Sequence, residues 1–256
     1  MLNNFQDIKN TLIDCGIKYG DTLFIHGDDI ISTQINFKNK SNDPTILFFE
    51  ALIDLVGDEG TIIVPTFTYS FIKTKKFDVQ NSKSEVGTFS EKFRKLSNIV
   101  RSKNPIFNVV SIGKKSNQIQ LSSKNSSFGK NSVFDLLYKY NAKIFCIGCS
   151  FSRITFVHYV EESLKVNYRY HKIFKGEIIE NGEKNEIFTD YYVRDLEFDT
   201  ICNLTKLKKF MINNKKIFLG DFGRLRTYLC TSLDFFESCK EMLKRQEYGL
   251  INEGNK

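Results

Sequence analysis

Histidine is the scarcest chemistry-bearing side chain in this sequence, with three copies at positions 26, 158 and 171. His158 stands three residues before Glu161 and four before Glu162. On a helix both separations put the imidazole and a carboxylate on one face. A carboxylate that accepts a proton bond from one ring nitrogen fixes the tautomer and raises the basicity of the other, which suits a general base near neutral pH. The same spacing also occurs in surface pairs that do no chemistry, and spacing alone leaves Glu161 and Glu162 both eligible. His26 closes an apolar run and is followed by Gly27-Asp28-Asp29, where the acids could bind a ligand or cap the next turn. His171 reads as a strand residue on a wet edge. Cys146-Ile-Gly-Cys149 is formally a CxxC, but with no second CxxC and no nearby histidine pair it reads as buried thiols rather than zinc or redox chemistry. Phe128-Gly129-Lys130-Asn131-Ser132 lacks the first glycine of a phosphate loop. No G-x-S-x-G elbow and no G-x-G-x-x-G follows the first strand, and no metal-ligand spacing is found, so the reading predicts neither a metal nor a nicotinamide cofactor.

These residues need elements to hold them. Apolar positions at helical spacing predict helices over 3–15, from the Asp43-Pro44 start to Val56, and over 88–97, 132–140, 154–166, 196–211 and 230–246. Continuous apolar runs predict strands at 22–26, 61–64, 106–112, 143–148, 215–219 and 224–229. Ile173–Ile179 and Glu186–Val193 flank Asn181-Gly182, the preferred pair for a tight hairpin turn. Such alternation predicts a layered α/β/α fold with a central mixed sheet and a β-hairpin insertion. Ligands in these folds sit beyond the carboxyl ends of the strands. Three strand ends carry the unusual clusters: His26-Gly27-Asp28-Asp29, Pro65-Thr66-Phe67-Thr68-Tyr69, and Gly148-Cys149-Ser150 running on to His158. If those strands are parallel neighbours, the clusters meet at one edge.

Composition excludes several classes. The 256 residues are 41% hydrophobic and 26% charged, as in an ordinary globular protein rather than a disordered tail or coiled coil. No internal repeat or linker divides them, so one catalytic domain over 1–256 is expected. No apolar run reaches the roughly 20 residues of a membrane span, and the start shows no signal-peptide pattern, so a cytoplasmic location is expected. Lys plus Arg number 37 against 30 Asp plus Glu, a formal charge of +7, but the basic residues are dispersed and form no stripe for nucleic acid. A non-catalytic binding domain would have no need of a His–Glu pair, and a hydrolase would need a nucleophile or metal that is not evident.

Taken in order, the segments resemble the aminoglycoside 3-N-acetyltransferases, the coenzyme-A-dependent antibiotic acetyltransferases outside the GNAT fold. The resemblance runs over roughly residues 5–180. Its pieces are Gly20-Asp21-Thr22-Leu23-Phe24-Ile25-His26, Gly57 to Thr68, Val86-Gly87-Thr88-Phe89-Ser90-Glu91, Arg101-Ser102-Lys103-Asn104-Pro105, Gly129 to Ser132, Thr155 to Glu161, and Tyr168-Arg169-Tyr170. It implies direct acyl transfer from acetyl-CoA, or another acyl-CoA, to an amine, with no metal. It assigns His158 as general base oriented by Glu161. It implies coenzyme contacts at His26, Gly27, Thr66, Phe67, Thr68, Asn108 and Val109, and acceptor contacts at Asp28, Asp29, Tyr69 and Arg169. Two segments depart from the family: Gly27-Asp28-Asp29 stands where a Ser-Ser loop is usual, and Asn104 and Asn108 replace a His and a Ser. The positive charge of the chain favours an anionic acceptor, an amino sugar carried on a nucleotide for surface-glycan synthesis, over a polycationic aminoglycoside, which is the alternative. The hairpin edge at 173–193 offers a surface on which a second copy could pair as a homodimer.

Overall fold

The computed structural model describes residues 1–36, 43–197 and 199–252. Ten strands are seen among the described residues, in chain order: β1 (Thr22–Gly27), β2 (Thr61–Pro65), β3 (Lys76–Asp78), β4 (Val100–Arg101), β5 (Val109–Gly113), β6 (Lys143–Ile147), β7 (Arg169–Glu180), β8 (Glu183–Arg194), β9 (Phe218–Phe222) and β10 (Leu225–Thr231). Seven form one mixed sheet in the order β4-β5-β2-β1-β6-β10-β9, and β3-β7-β8 form a second, smaller sheet. At the centre β1 runs parallel to both β2 and β6, while β5 and β10 lie antiparallel on the outer sides. The carboxyl ends of β1, β2 and β6 therefore lie together, as the three clusters require.

Every residue of β2 is buried, and so are the first five of β1, as their continuous apolar runs predict. Successive side chains point to opposite faces. Phe24, Ile63, Ile144 and Cys146 enter one core with the helices Val133–Lys139, Val157–Ser163, Thr205–Asn213 and Ser232–Arg245. Leu23, Ile25, Ile62, Val64, Phe145 and Ile147 enter the other with the helices Phe5–Asp14, Pro44–Val56 and Thr88–Arg94. The result is the expected α/β/α layering. Asp43 caps the helix Pro44–Val56 by accepting from the Thr45 N–H, with proline in the first turn as read.

Several elements differ from the sequence reading: the helix expected at 88–97 is Thr88–Arg94, the strand expected at 215–219 is Phe218–Phe222, and three more differ for local reasons. The strand expected at 106–112 begins only at Val109, because Asn104 Oδ1 accepts from the Ile106 and Phe107 N–H groups and holds that stretch in a turn. The helix expected at 196–211 is confined to Thr205–Asn213. Ahead of it the side chains of Asp195, Asp199 and Asn203 accept from the N–H groups of Glu197, Ile201 and Thr205. These local side-chain turns compete with helix. The helix expected at 154–166 is one short helix, Val157–Ser163, preceded by a 3-10 turn at Phe151–Arg153.

The hairpin is longer than expected and turns at Asn181 (φ 51°) and Gly182 (φ 85°), the two left-handed positions the Asn-Gly pair announces. Its edges are partly covered: β3 pairs with β7, and Ser126 bridges to Asp190 on β8.

Candidate active site

The strand-end clusters border a cavity of about 530 Å³. That falls within the ordinary size of small-molecule sites. Its walls include His26, Gly27, Asp28 and Asp29 from the end of β1, Phe67 and Tyr69 beyond β2, the segment Glu85–Ser90, and Cys149, Arg153 and Thr155 beyond β6. Gly27 is needed there for contact: a Cβ at this position would lie 2.5 Å from the Phe89 ring. His26 is buried, and its Nε2 accepts from the Thr155 N–H at 3.4 Å, tying the end of β1 to the segment that leads into the helix Val157–Ser163. Burial drives its pKa down to about 3, so this ring is neutral and acts as an acceptor.

One turn beyond Thr155, the His158 Nδ1 lies 2.6 Å from Glu161 Oε2. An ionised carboxylate can only accept, so Nδ1 carries the hydrogen and Nε2 keeps a free lone pair. His158 does not line the cavity wall itself; its ring is 19% exposed and packs edge-on to Phe128 at 5.3 Å. Burial and then the Arg169 cation lower the His158 pKa, against the opposing pull of Glu161. The imidazole is thus neutral and basic-ready at neutral pH. For Glu161 burial acts to raise the pKa, but the His158 bond and the Arg169 charge outweigh it and the carboxylate stays ionised. Between the two carboxylates that spacing left open, the geometry selects Glu161 as the partner of His158.

Arg169, expected to meet an acceptor, is instead buried and ion-paired through Nε to Glu161 Oε2 at 2.7 Å. It holds the carboxylate that holds the histidine. A planar guanidinium is well suited to such an enclosed pairing.

Thr66, Thr68, Asn108 and Val109, expected at the coenzyme, are buried, and none of them lines the cavity. Thr66 Oγ1 donates to Asn108 Oδ1 at 2.9 Å, Asn108 Nδ2 donates to Thr68 Oγ1 at 2.8 Å, and Thr68 Oγ1 donates to the Pro105 carbonyl at 2.7 Å. Arg101 Nε donates to the same Asn108 oxygen at 2.9 Å, and its terminal nitrogens reach the Thr66, Val79 and Ser82 carbonyls. A closed buried network of this kind sets the shape of the wall rather than touching a ligand. Asn104 and Asn108, the two departures in the sequence, both act as ties of this framework: Asn104 Nδ2 donates to Thr189 Oγ1 at 2.9 Å.

Asp28 and Asp29 do reach the cavity. Asp28 also caps the following turn by accepting from the Ile30 N–H, and Asp29 is engaged by Lys92 and Thr45. Tyr69 stands 43% exposed on the wall, as a ligand-facing ring should.

Sequence reasoning missed Arg153 and Glu85 as wall residues, placed Cys149 only within a strand-end cluster, and left Glu162 unranked beside Glu161. Glu162 lies one turn from His158, with its Oε1 over the backbone of Gly129, where a Cβ would come within 2.5 Å. Burial raises its pKa to about 7, with a further push from Asp190 against the pull of His171. Asp190 in turn receives the His171 ring at 2.9 Å. The signal available was the second glutamate of the pair after His158, which spacing could not rank.

Among the described residues, no group of three or more His, Cys, Asp or Glu side chains could hold a metal ion. No helix among them is long and apolar enough to cross a membrane.

Comparison with known proteins agrees with this architecture. The chain covers 96% of its length on the structure of AAC-IIIb with CoASH, which it covers to 98%, with a TM-score of 0.80 at 17% identity. It overlays 98% of its length on the AAC(3)-IVa apoenzyme, covering 92% of that chain, with a TM-score of 0.78 at 20% identity. In sequence it is 25% identical over 219 residues, covering 75% of each chain, to the SPbeta prophage-derived aminoglycoside N(3')-acetyltransferase-like protein YokD of Bacillus subtilis strain 168. The sequence pattern of the aminoglycoside 3-N-acetyltransferases matches residues 39–244. The chain therefore belongs to the aminoglycoside 3-N-acetyltransferase family and is an acyl-CoA-dependent N-acyltransferase with acetyl-CoA as its co-substrate.

Proposed function

We propose that this enzyme transfers the acetyl group of acetyl-CoA directly to an amine of an aminoglycoside-type polyamine sugar, with His158 as general base and the whole chain acting as one catalytic unit. The observation that carries this reading is the His158–Glu161 pair at 2.6 Å, a neutral imidazole with Nε2 free and its tautomer held by a buried carboxylate. An amine attacks only after losing its proton. Nε2 takes that proton as the nitrogen closes on the thioester carbonyl, and Glu161, held by Arg169, stabilises the imidazolium that forms. The cavity beyond the three strand ends would receive the thioester arm of the coenzyme, with Gly27, Phe67, Phe89 and Cys149 as its near walls.

The acceptor class follows from local rather than total charge. The whole chain carries +7, which favoured a nucleotide-linked amino sugar, and no comparison supports that acceptor. Asp28, Asp29 and Glu85 line the cavity with Arg153, Asp29 being paired to Lys92, and Glu162, one helical turn from His158, lies near Asp190 and His171. Such surroundings favour a cation over a diphosphate. In relatives of the same fold, a mutant of AAC(3)-IVa is seen in complex with apramycin and AAC-VIa with sisomicin.

The test is acetyl-CoA consumption with aminoglycosides such as apramycin and sisomicin and, in parallel, with nucleotide-linked amino sugars. Turnover of the first set with the second inert is expected. The reverse pattern would replace the acceptor assigned here while leaving the acyl-transfer chemistry in place.

A further inference from the structure

Cys146 and Cys149 take no part in the acyl transfer described above, yet their arrangement is not that of two inert core thiols. Both are free. Cys146 is fully buried at the end of β6, whereas Cys149 is partly exposed on the cavity wall. Gly148 between them is left-handed (φ 67°) and folds the chain back on itself. A side chain there would also meet Ile30 at 2.8 Å. The turn brings the two sulfurs to 3.4 Å, and Cys149 Sγ lies 3.3 Å from the His26 carbonyl oxygen. The sulfurs thus need to close by little more than 1 Å to reach bonding distance, about 2.05 Å. An accessible sulfur with a buried one immediately behind it is the arrangement of an attacking and a resolving thiol. The bond from Cys146 and the nearby Arg153 favour the Cys149 thiolate against the effect of burial, while the same bond, and burial, hold Cys146 protonated.

We propose that Cys149 and Cys146 form a thiol–disulfide exchange site opening on the cavity, with the disulfide of a small thiol as its substrate. The Cys149 thiolate attacks one sulfur of the disulfide RSSR. The S–S bond breaks, one RS⁻ leaves and takes up the proton that Cys149 released, and Cys149 is left in a mixed disulfide. The Cys146 sulfur then attacks Cys149 Sγ and expels the second RS⁻, which takes up the proton of Cys146. Two cysteines are oxidised to one internal disulfide, and RSSR is reduced to two RSH. Coenzyme A disulfide and glutathione disulfide share this chemistry. Only the preference for the former rests on the reading of the cavity as the coenzyme site.

The experiment incubates the reduced full-length protein with each disulfide separately, with and without acetyl-CoA, followed by alkylation, intact mass and peptide mapping. A disulfide joining 146 to 149 is expected in the native sequence, with Cys15, Cys202, Cys230 and Cys239 still alkylated. In Cys146→Ser the reaction should stop at one adduct on Cys149, and in Cys149→Ser neither adduct nor disulfide should form at this pair. Free thiols at 146 and 149 after exposure to both disulfides would overturn the proposal, as would an adduct that settles on Cys202 first. Faster reaction with coenzyme A disulfide identifies the coenzyme as the source, and faster reaction with glutathione disulfide identifies the general thiol pool. Acetyl-CoA should slow the exchange at least tenfold. Exchange that proceeds unslowed leaves the thiol site standing and removes the coenzyme from this cavity.

Discussion

Glu162→Gln separates local electrostatics from fold in a measurable way. In the folded protein this half-buried carboxyl has its pKa raised to about 7, first by burial and then by Asp190, against an ordinary value of 4.5. Below pH 4.5 the folded and unfolded states both hold the proton, and Glu162 contributes nothing to the pH dependence. Between 4.5 and 7 the unfolded chain gives up the proton and the folded one keeps it, so stability falls as pH rises through the folded value. Above about pH 7 both are ionised and the loss is complete. At about 1.4 kcal/mol for each pKa interval, the gap corresponds to at most about 3 kcal/mol, and partial exposure trims it to about 1 to 3 kcal/mol.

Glutamine keeps the shape and removes the titration. The assay is urea unfolding of wild type and variant at pH 4, 5.5, 7 and 8. The variant should gain on the wild type by about 1 to 3 kcal/mol between the lowest and highest pH, with the gain concentrated between 4.5 and 7. Other titrating groups common to both proteins cancel in the difference. Under the proposed function the same variant should raise KM for a cationic acceptor several-fold and leave KM for acetyl-CoA nearly unchanged. Two stability curves that stay parallel across the whole range would show that Glu162 is solvated normally, and the acidic subsite beside His158 would lose its physical basis.

Other perturbations probe the remaining parts. His158→Asn should lower kcat by about 100-fold or more with acetyl-CoA binding nearly intact, measured by steady-state kinetics and thermal shift. In the wild type, the acid limb of the kcat/KM profile should fall below pH 6.5, the ordinary imidazole value, because burial and Arg169 lower the His158 pKa. Glu161→Gln leaves Arg169 buried without its counter-charge and should destabilise the fold by about 3–5 kcal/mol, seen as a drop in Tm, in addition to reducing turnover. Gly27→Ala would place a methyl 2.5 Å from the Phe89 ring; acetyl-CoA binding should weaken as the ring shifts into the cavity, and unchanged affinity by titration calorimetry would dissociate this wall from the coenzyme.

Much of the framework could be read from local pattern. Asp43-Pro44 starts a helix through its own side chain and ring. Asn181-Gly182 turns the hairpin because those two residues tolerate the left-handed region. Residues 62–64 are enclosed on both faces because none of the three side chains carries a polar group. The stretch 195–204 was misread because its apolar spacing suits a helix, while the carboxylates and amide within it offer the backbone closer partners.

Within the site, spacing alone placed His158 on one helix face with both Glu161 and Glu162, since residues three and four apart share a face whatever surrounds them. That three chemically loaded strand ends gather at one edge followed from the sequence only if those strands were parallel neighbours, and the pairing of β1 with β2 and β6 supplies that condition. The partners of each gathered residue follow from how the elements pack together. Thr66 and Asn108 were drawn inward to meet Arg101, a partner 35 and 7 residues away in sequence, and Thr68 joins them through Asn108. Arg169 became the anchor of Glu161, Glu162 came to lie over the backbone of Gly129, and two cysteines three residues apart came to face each other across a glycine turn. Spacing dictates neighbours along one element, but burial and charge pairing depend on which other elements pack against it, and that information exists only once the chain has closed.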